Sequence, residues 1–211
     1  MSLADRRIDY QRGVLDEGHL APDPITQFTQ WFAEAESAEV PEPNAMTLAT
    51  VGPDGTPAGR IVLLKGVDHG GFVFFTDYRS QKGRELEQSG RAALVFFWQP
   101  LERQVRITGT VARIAPGESD QYFDSRPRGS QAGAWASRQS QVVVGRSAID
   151  EAVAEAERRF GNGPIPRPEH WGGYRVMPDQ IEFWQGRASR LHDRLRYRRD
   201  AGAWLIERLA P

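Results

Sequence analysis

Cysteine is absent from the chain, which removes thiol nucleophiles, disulfide frameworks and cysteine-ligated metals together. No apolar run approaches the roughly 20 residues that a membrane-spanning helix requires. Residues 1–11 carry charges where a secretory signal would carry an apolar core. Histidine is scarce, and His19, His69, His170 and His192 have none of the spacing of a zinc site. No Gly-x-Ser-x-Gly turn occurs, which disfavours an α/β-hydrolase. No glycine-rich loop links a strand to a helix, so the P-loop and the dinucleotide fingerprint are both missing. Net charge is small as well. At −1 over 211 residues, it argues against a general nucleic-acid binder. These absences describe a soluble chain, expected in the cytoplasm, with no membrane or nucleic-acid partner. Any phosphate it binds must be held by side chains.

The length allows one large domain with a full core. Residues 1–22 are polar and are expected to form a mobile arm ahead of a single domain over 23–211. Asp23 at an N-cap and Pro24 at the first helical position open a helix. Ile25, Phe28, Trp31, Phe32 and Ala35 give that helix one apolar face, and Pro41 and Pro43 end it. From residue 45 the pattern changes to short β-rich runs at 46–51, 59–65 and 72–76. The turns Gly52-Pro53-Asp54-Gly55 and Asp68-His69-Gly70-Gly71 join them. A short helix is expected over 80–88, and strands over 92–98 and 102–114. Further helices are expected from Pro116, over 130–137, and from Ser147 with Asp150 as its capping-box partner. Strands fill 174–209, with a turn at Asp200-Ala201-Gly202. Many short strands with inserted helices favour a mainly β (α+β) antiparallel barrel over a doubly wound sheet.

Three places carry anion-binding chemistry. Arg60 and Lys65 stand at the two ends of an apolar strand, on opposite faces. Thr76, Ser80, Gln81 and Lys82 surround a helix N-terminus with free N–H groups. Tyr122 and Arg126 are one helical turn apart, with Ser130 following past a proline. A phenol, a guanidinium and a hydroxyl converging there describe a small phosphate pocket. A fourth stretch, 181–194, begins as a strand, breaks at Gly186 and then presents Arg190, His192 and Arg194 at period two near Trp184. That pattern suits a flat anionic ligand, and it equally fits a solvated basic edge strand. The arginine-rich run 187–199 is interrupted by Asp193 and followed by Asp200, which weighs against nucleic acid.

Taken together, Arg60 to Lys65, Phe74-Phe75-Thr76, Leu101-Glu-Arg-Gln-Val105, Ser125-Arg-Pro-Arg128, Gln139-Ser140, Trp171-Gly-Gly, Ile181-Glu-Phe-Trp-Gln-Gly186, Arg190-Leu-His-Asp-Arg194 and the terminal Arg208-Leu-Ala-Pro211 resemble the pyridoxine/pyridoxamine 5′-phosphate oxidase family. The segments run in the family's order along almost the whole chain. The resemblance implies a Greek-key split β-barrel that forms a homodimer through a C-terminal segment at about 171–211, with FMN at the subunit interface. It assigns the flavin to Arg60, Ile61, Val62, Leu63, Leu64, Lys65, Phe75, Thr76, Lys82, Gln104, Gln139, Ser140, Trp184 and Arg194. The substrate phosphate falls to Lys65, Tyr122, Arg126 and Ser130. Arg190, Leu191 and His192 would lie at the pyridine ring, with Arg190 and His192 as the catalytic pair, and Arg7 and Tyr10 would close over it. One departure stands out: the family's usual basic pair after the serine is Gln81-Lys82 here. The implied reaction is oxidation of pyridoxine or pyridoxamine 5′-phosphate to pyridoxal 5′-phosphate, with dioxygen reduced to hydrogen peroxide. Two alternatives stay open. One is a split-barrel flavin oxidase of another aromatic, such as a phenazine precursor; the other is a non-catalytic carrier of flavin or pyridoxal phosphate.

Overall fold

Helix α1 (Pro24–Ser37) starts where its sequence dictates. The Asp23 carboxylate accepts the Thr26 N–H at 2.7 Å, and Pro24 occupies the first turn, where no N–H is needed. Phe28 and Trp31 are the helix's anchors. Phe28 meets Phe72 and Phe96 at ring separations of 4.9 and 5.1 Å, and Trp31 meets Phe183 edge-on at 5.1 Å. These contacts make α1 the lid of the main core.

The chain, described over residues 2–5 and 9–211 in a computed structural model, builds five α-helices and nine strands among those residues. The strands are β1 (Ala45–Val51), β2 (Pro57–Leu63), β3 (Gly66–Asp68), β4 (Gly71–Asp77), β5 (Arg91–Trp98), β6 (Arg103–Arg113), β7 (Trp171–Gln185), β8 (Asp193–Asp200) and β9 (Ala203–Arg208). All the described pairings are antiparallel. The order β2-β1-β5-β6-β7-β4-β3, with β8 added to β7 and β9 to β8, curls into a split antiparallel barrel of α+β class. The inserted helices are α2 (Gln81–Ser89), α3 (Pro116–Asp124), α4 (Arg128–Ala136) and α5 (Arg146–Phe160).

Strand β7 organises the sheet. From Tyr174 to Gln185 it lies along β6, while its other edge pairs first with β4 (Trp171 to Val176) and then with β8 (Gln180 to Gln185). The exchange falls at Pro178, which has no N–H to donate. Opposite it the β6 register shifts between Thr108 and Gly109. A Cβ at Gly109 would lie 1.9 Å from the Met177 carbonyl oxygen, so this crossing needs glycine.

Several expectations need correction. Strand β3 is additional, and it forms a hairpin with β4 across His69 and Gly70, both at positive φ. Helix α4 starts at Arg128, so Ser130 lies inside its first turn instead of opening it. The capping box at Ser147 does not form. Helix α5 begins at Arg146, whose guanidinium takes the Asp150 carboxylate at 2.8 Å. The N-terminal arm lies against the domain over residues 9–21 through defined hydrogen bonds. Arg7 falls outside the described residues. Among those described, no helix is long and apolar enough to cross a membrane.

Candidate active site

The residues assigned to cofactor and substrate form two groups in one chain. The first lines a cavity of about 490 Å³ whose walls include Ile61, Val62, Leu63, Lys65, Phe75, Thr76, Lys82, Tyr122, Arg126, Ser130 and Gln139. Strand β2 supplies one wall, β4 and the start of α2 the floor, and α3 with α4 the far side. Ser80 caps α2 by accepting the Gly83 N–H at 3.2 Å, which fixes Lys82 at the cavity edge. Gln139 accepts from Thr76 and Lys82, both at 3.2 Å, and the Ser140 hydroxyl accepts the Gln81 N–H at 3.1 Å. The loop carrying Gln139 and Ser140 is thereby tied to the helix N-terminus. Leu64 departs from this group; it is buried in the main core.

The electrostatics of the cavity are one-sided. Lys65, Lys82 and Arg126 have no carboxylate partner among the described residues. Burial pushes the Lys82 ammonium below its ordinary pKa, and the nearby Arg60 charge adds to that. Burial likewise lowers Arg126, whose Nη1 is buried without any hydrogen-bond partner. Arg126 is held by rings instead: its guanidinium carbon lies 4.5 Å from the Trp171 ring centre and 5.6 Å from that of Phe123. Trp171 in turn lies parallel to Phe75, which stacks on Tyr122 at 3.9 Å. A buried donor with no acceptor costs free energy. The site therefore fits a bound anion, with a flat aromatic wall beside it.

Arg60 behaves differently from its cationic neighbours. Its guanidinium donates to the Leu48 and Ala58 carbonyls, to the Thr50 hydroxyl and to Glu85 at 3.2 Å. Glu85 is buried, accepts from Thr50 at 2.5 Å and from the Gln81 amide at 2.7 Å, and is kept ionised below the usual carboxylate range by these bonds and by Arg60, against the opposing effect of burial. Arg60 is thus a fixed, largely committed charge beside Lys82.

The second group sits at the end of β7. Gln104, Trp184 and Arg194 form one row across β6, β7 and β8. Arg194 forks onto Glu182 at 2.8 and 3.2 Å and donates to the Ala210 carbonyl at 2.8 Å, so part of its donor set is already used. The period-two arrangement of Arg190, His192 and Arg194 is corrected: Ser189 and Arg190 both have positive φ in a 3-10 turn, and β8 begins only at Asp193. The turn leaves Arg190 and Leu191 exposed and brings the His192 ring to 4.6 Å from Trp184 and 5.9 Å from Tyr10. Gly186 leaves room for the Tyr10 ring, which a Cβ would meet at 2.7 Å. The Arg187 N–H donates to His192 Nδ1 at 3.1 Å, leaving Nε2 to carry the proton of the neutral imidazole. Burial first, then the Arg190 charge, lowers the His192 pKa, with Asp193 pulling the other way.

Trp171 and Glu85 are site residues that motif spacing did not single out. One signal was available. Lys65 and Lys82 are the chain's only lysines, and both line the cavity.

Residues 32–160 match the family model for pyridoxamine 5′-phosphate oxidase, and residues 171–211 match the pyridoxine 5′-phosphate oxidase C-terminal dimerisation region. A pyridoxine/pyridoxamine 5′-phosphate oxidase of Burkholderia cenocepacia is 58% identical over 213 residues, spanning 100% of this chain and 99% of the relative. Its counterpart in Salinibacter ruber is 59% identical over 99% of both chains. Among solved structures, PhzG from Burkholderia lata 383, in complex with tetrahydrophenazine-1-carboxylic acid, superposes with a TM-score of 0.88. It is 35% identical over 94% of this chain and 98% of its own. An FMN binding protein of Nostoc punctiforme shares the fold at a TM-score of 0.71 and 20% identity, over 91% of this chain and 99% of its own. A chain that matches both family segments and aligns end to end with named relatives belongs to the pyridoxine/pyridoxamine 5′-phosphate oxidase family.

Proposed function

We propose that the protein is an FMN-dependent oxidase that converts pyridoxine or pyridoxamine 5′-phosphate to pyridoxal 5′-phosphate, with dioxygen reduced to hydrogen peroxide. One observation carries this reading: Lys65, Lys82 and Arg126 face a single cavity without carboxylate partners, beside an aromatic wall. Lys82, Thr76, Gln139, Ser140 and the backbone of 61–63 would hold the flavin, with Arg60 adding fixed charge. Tyr122, Arg126, Ser130 and Lys65 would take the substrate phosphate. Bound FMN supplies the two-electron redox chemistry.

Gln104, Trp184, Arg190, His192 and Arg194 do not line that cavity. The dimerisation region supports a homodimer, and we assign these residues to the partner subunit's site. Arg190 and His192 would then orient the pyridine ring and offset charge at its C4′ substituent.

The test is an absorption spectrum of the purified protein, followed by anaerobic addition of each phosphorylated substrate. A yellow protein bleached by both is the expected result. A colourless protein that ignores added FMN overturns the reading and favours a non-flavin role. The PhzG likeness motivates the second reading, an oxidase of a carboxylated aromatic. Equal turnover of dephosphorylated pyridoxine would favour it, because the Arg126 pocket would then be idle.

Gln81 gives a further expectation. Its amide is bonded to Glu85, where an arginine would bring a second cation to the helix start. Gln81→Arg should tighten FMN binding about fivefold, a modest gain because the position is exposed. Flavin fluorescence titration of the stripped protein measures it, and unchanged affinity would remove Gln81 from the flavin's surroundings.

A further inference from the structure

Glu102 is buried, non-glycine and left-handed, with φ 53° and ψ 39°. Its position closes a short 3-10 turn (Gln99–Leu101), where glycine is the unstrained choice. No arginine, lysine or histidine pairs with it among the described residues. One carboxylate oxygen instead accepts two backbone N–H groups of the N-terminal arm, Gln11 at 2.8 Å and Arg12 at 2.9 Å. The Glu102 carbonyl meanwhile accepts the Gly186 N–H at 2.7 Å and the Gln185 amide at 3.3 Å. A single residue therefore joins the arm to the end of β7. The segment it holds carries Tyr10, whose ring meets Trp184 edge-on at 5.7 Å and tilts against His192.

We propose that Glu102 is the positioning residue that latches the arm, holding Tyr10 over His192 and Trp184 so that the arm closes the substrate site. Charge-assisted bonds to two successive amides hold a backbone segment without any side-chain specificity from the arm. Strain retained at a buried acidic residue fits a positional role, since glycine would satisfy the turn alone. The rest of the arm is fastened separately. Asp193 accepts the Leu15 N–H at 3.2 Å, Arg208 donates to the Leu15 carbonyl and forks onto Glu17, and Tyr197 donates to the Ala21 carbonyl. Glu102 accordingly holds residues 9–13 through Gln11 and Arg12, with Asp9 adding only a long 3.4 Å bond from the Ser189 N–H, and leaves 15–21 in place.

The experiment is hydrogen exchange on the FMN-loaded full chain, comparing wild type with Glu102→Gly, Glu102→Ala and Glu102→Gln. Glu102→Gly removes the carboxylate and relieves the left-handed strain together, so it separates latching from folding. Exchange over residues 9–13 should quicken at least about tenfold in the Gly and Ala variants, less in Gln, with 15–21 unchanged. The same variants should raise KM for pyridoxine 5′-phosphate about tenfold and change kcat less than about threefold. The KM effect rests on the function proposed above, whereas the exchange effect does not. Unchanged protection at 9–13 in both Gly and Ala variants overturns the latch. Released protection with an unchanged KM overturns its role in closing the site. A wild-type protein inert toward both B6 phosphates would instead sink the functional reading, with the exchange result still standing for or against the latch.

Discussion

Replacing Arg190 and His192 together with alanine is expected to cut turnover by about 10³-fold while leaving FMN content unchanged. Both side chains stand on the short turn after Gly186 and outside the cavity with the unpaired cations. Their loss therefore removes ring placement and charge stabilisation without touching Lys82 or Gln139. Flavin content by absorbance and turnover by peroxide release measure the two effects separately. Equal losses of both would mean that the turn supports the cofactor and not the chemistry. The acidic limb of the rate profile adds a second reading. His192 is neutral at neutral pH because burial and Arg190 lower its pKa. As pH falls through the ordinary imidazole range, His192 stays neutral and protonates only at a lower pH. Arg190→Ala alone removes one cause of the shift, so the limb should move to higher pH. Folding stability follows the same sign: the unfolded chain binds this proton first, so the contribution of His192 is lost as pH falls.

Arg126→Met should raise KM for pyridoxine 5′-phosphate about 100-fold and leave kcat nearly unchanged. The guanidinium has one buried nitrogen with no partner, so its hydrogen-bonding capacity is free for an anion. The same substitution should raise the melting temperature of the ligand-free protein by about 2–4 °C, since a partly buried charge with one unpartnered nitrogen gives way to an apolar chain of similar length. Inorganic phosphate should stabilise the wild type and have less effect on the variant. Arg126→Lys keeps the charge but loses both the fork and the face that stacks on Trp171, so it should rescue only part of the affinity. An unchanged KM in Arg126→Met would place the substrate phosphate elsewhere.

The parts legible in the sequence were those set by local chemistry. Asp23-Pro24 opens α1 and Gly186 ends β7, both because neighbours a few residues apart decide them; Tyr122 and Arg126 reach the same cavity, but not along one helical face, because α3 ends at Asp124 and Arg126 stands in the bend before α4. Strand β3 has three residues, too few to show alternation. Arg190, His192 and Arg194 read as period two because Ala188-Ser189-Arg190 contains no glycine to announce its left-handed turn. Arg60 looked like a free cation because Thr50 and Glu85, which hold it, come from other elements. Trp171 was quoted only as a family segment. Its place in the site depends on Phe75 and Tyr122 arriving from far along the chain.

The placement of β7 also constrains the order in which the molecule can form. Strands β5 and β6 can pair while the C-terminal third is still being synthesised, but β4 finds its second partner only when Trp171 to Val176 emerge. Until then the apolar β3–β4 hairpin has no sheet to join, and Phe74 has no strand beside it. The barrel is closed by its most sequence-distant pairings, a topology that folds slowly and leaves an exposed edge while it waits. A nascent chain stopped before Trp171 therefore holds the residues of the cationic cavity without the strand that brings β4 and β6 together.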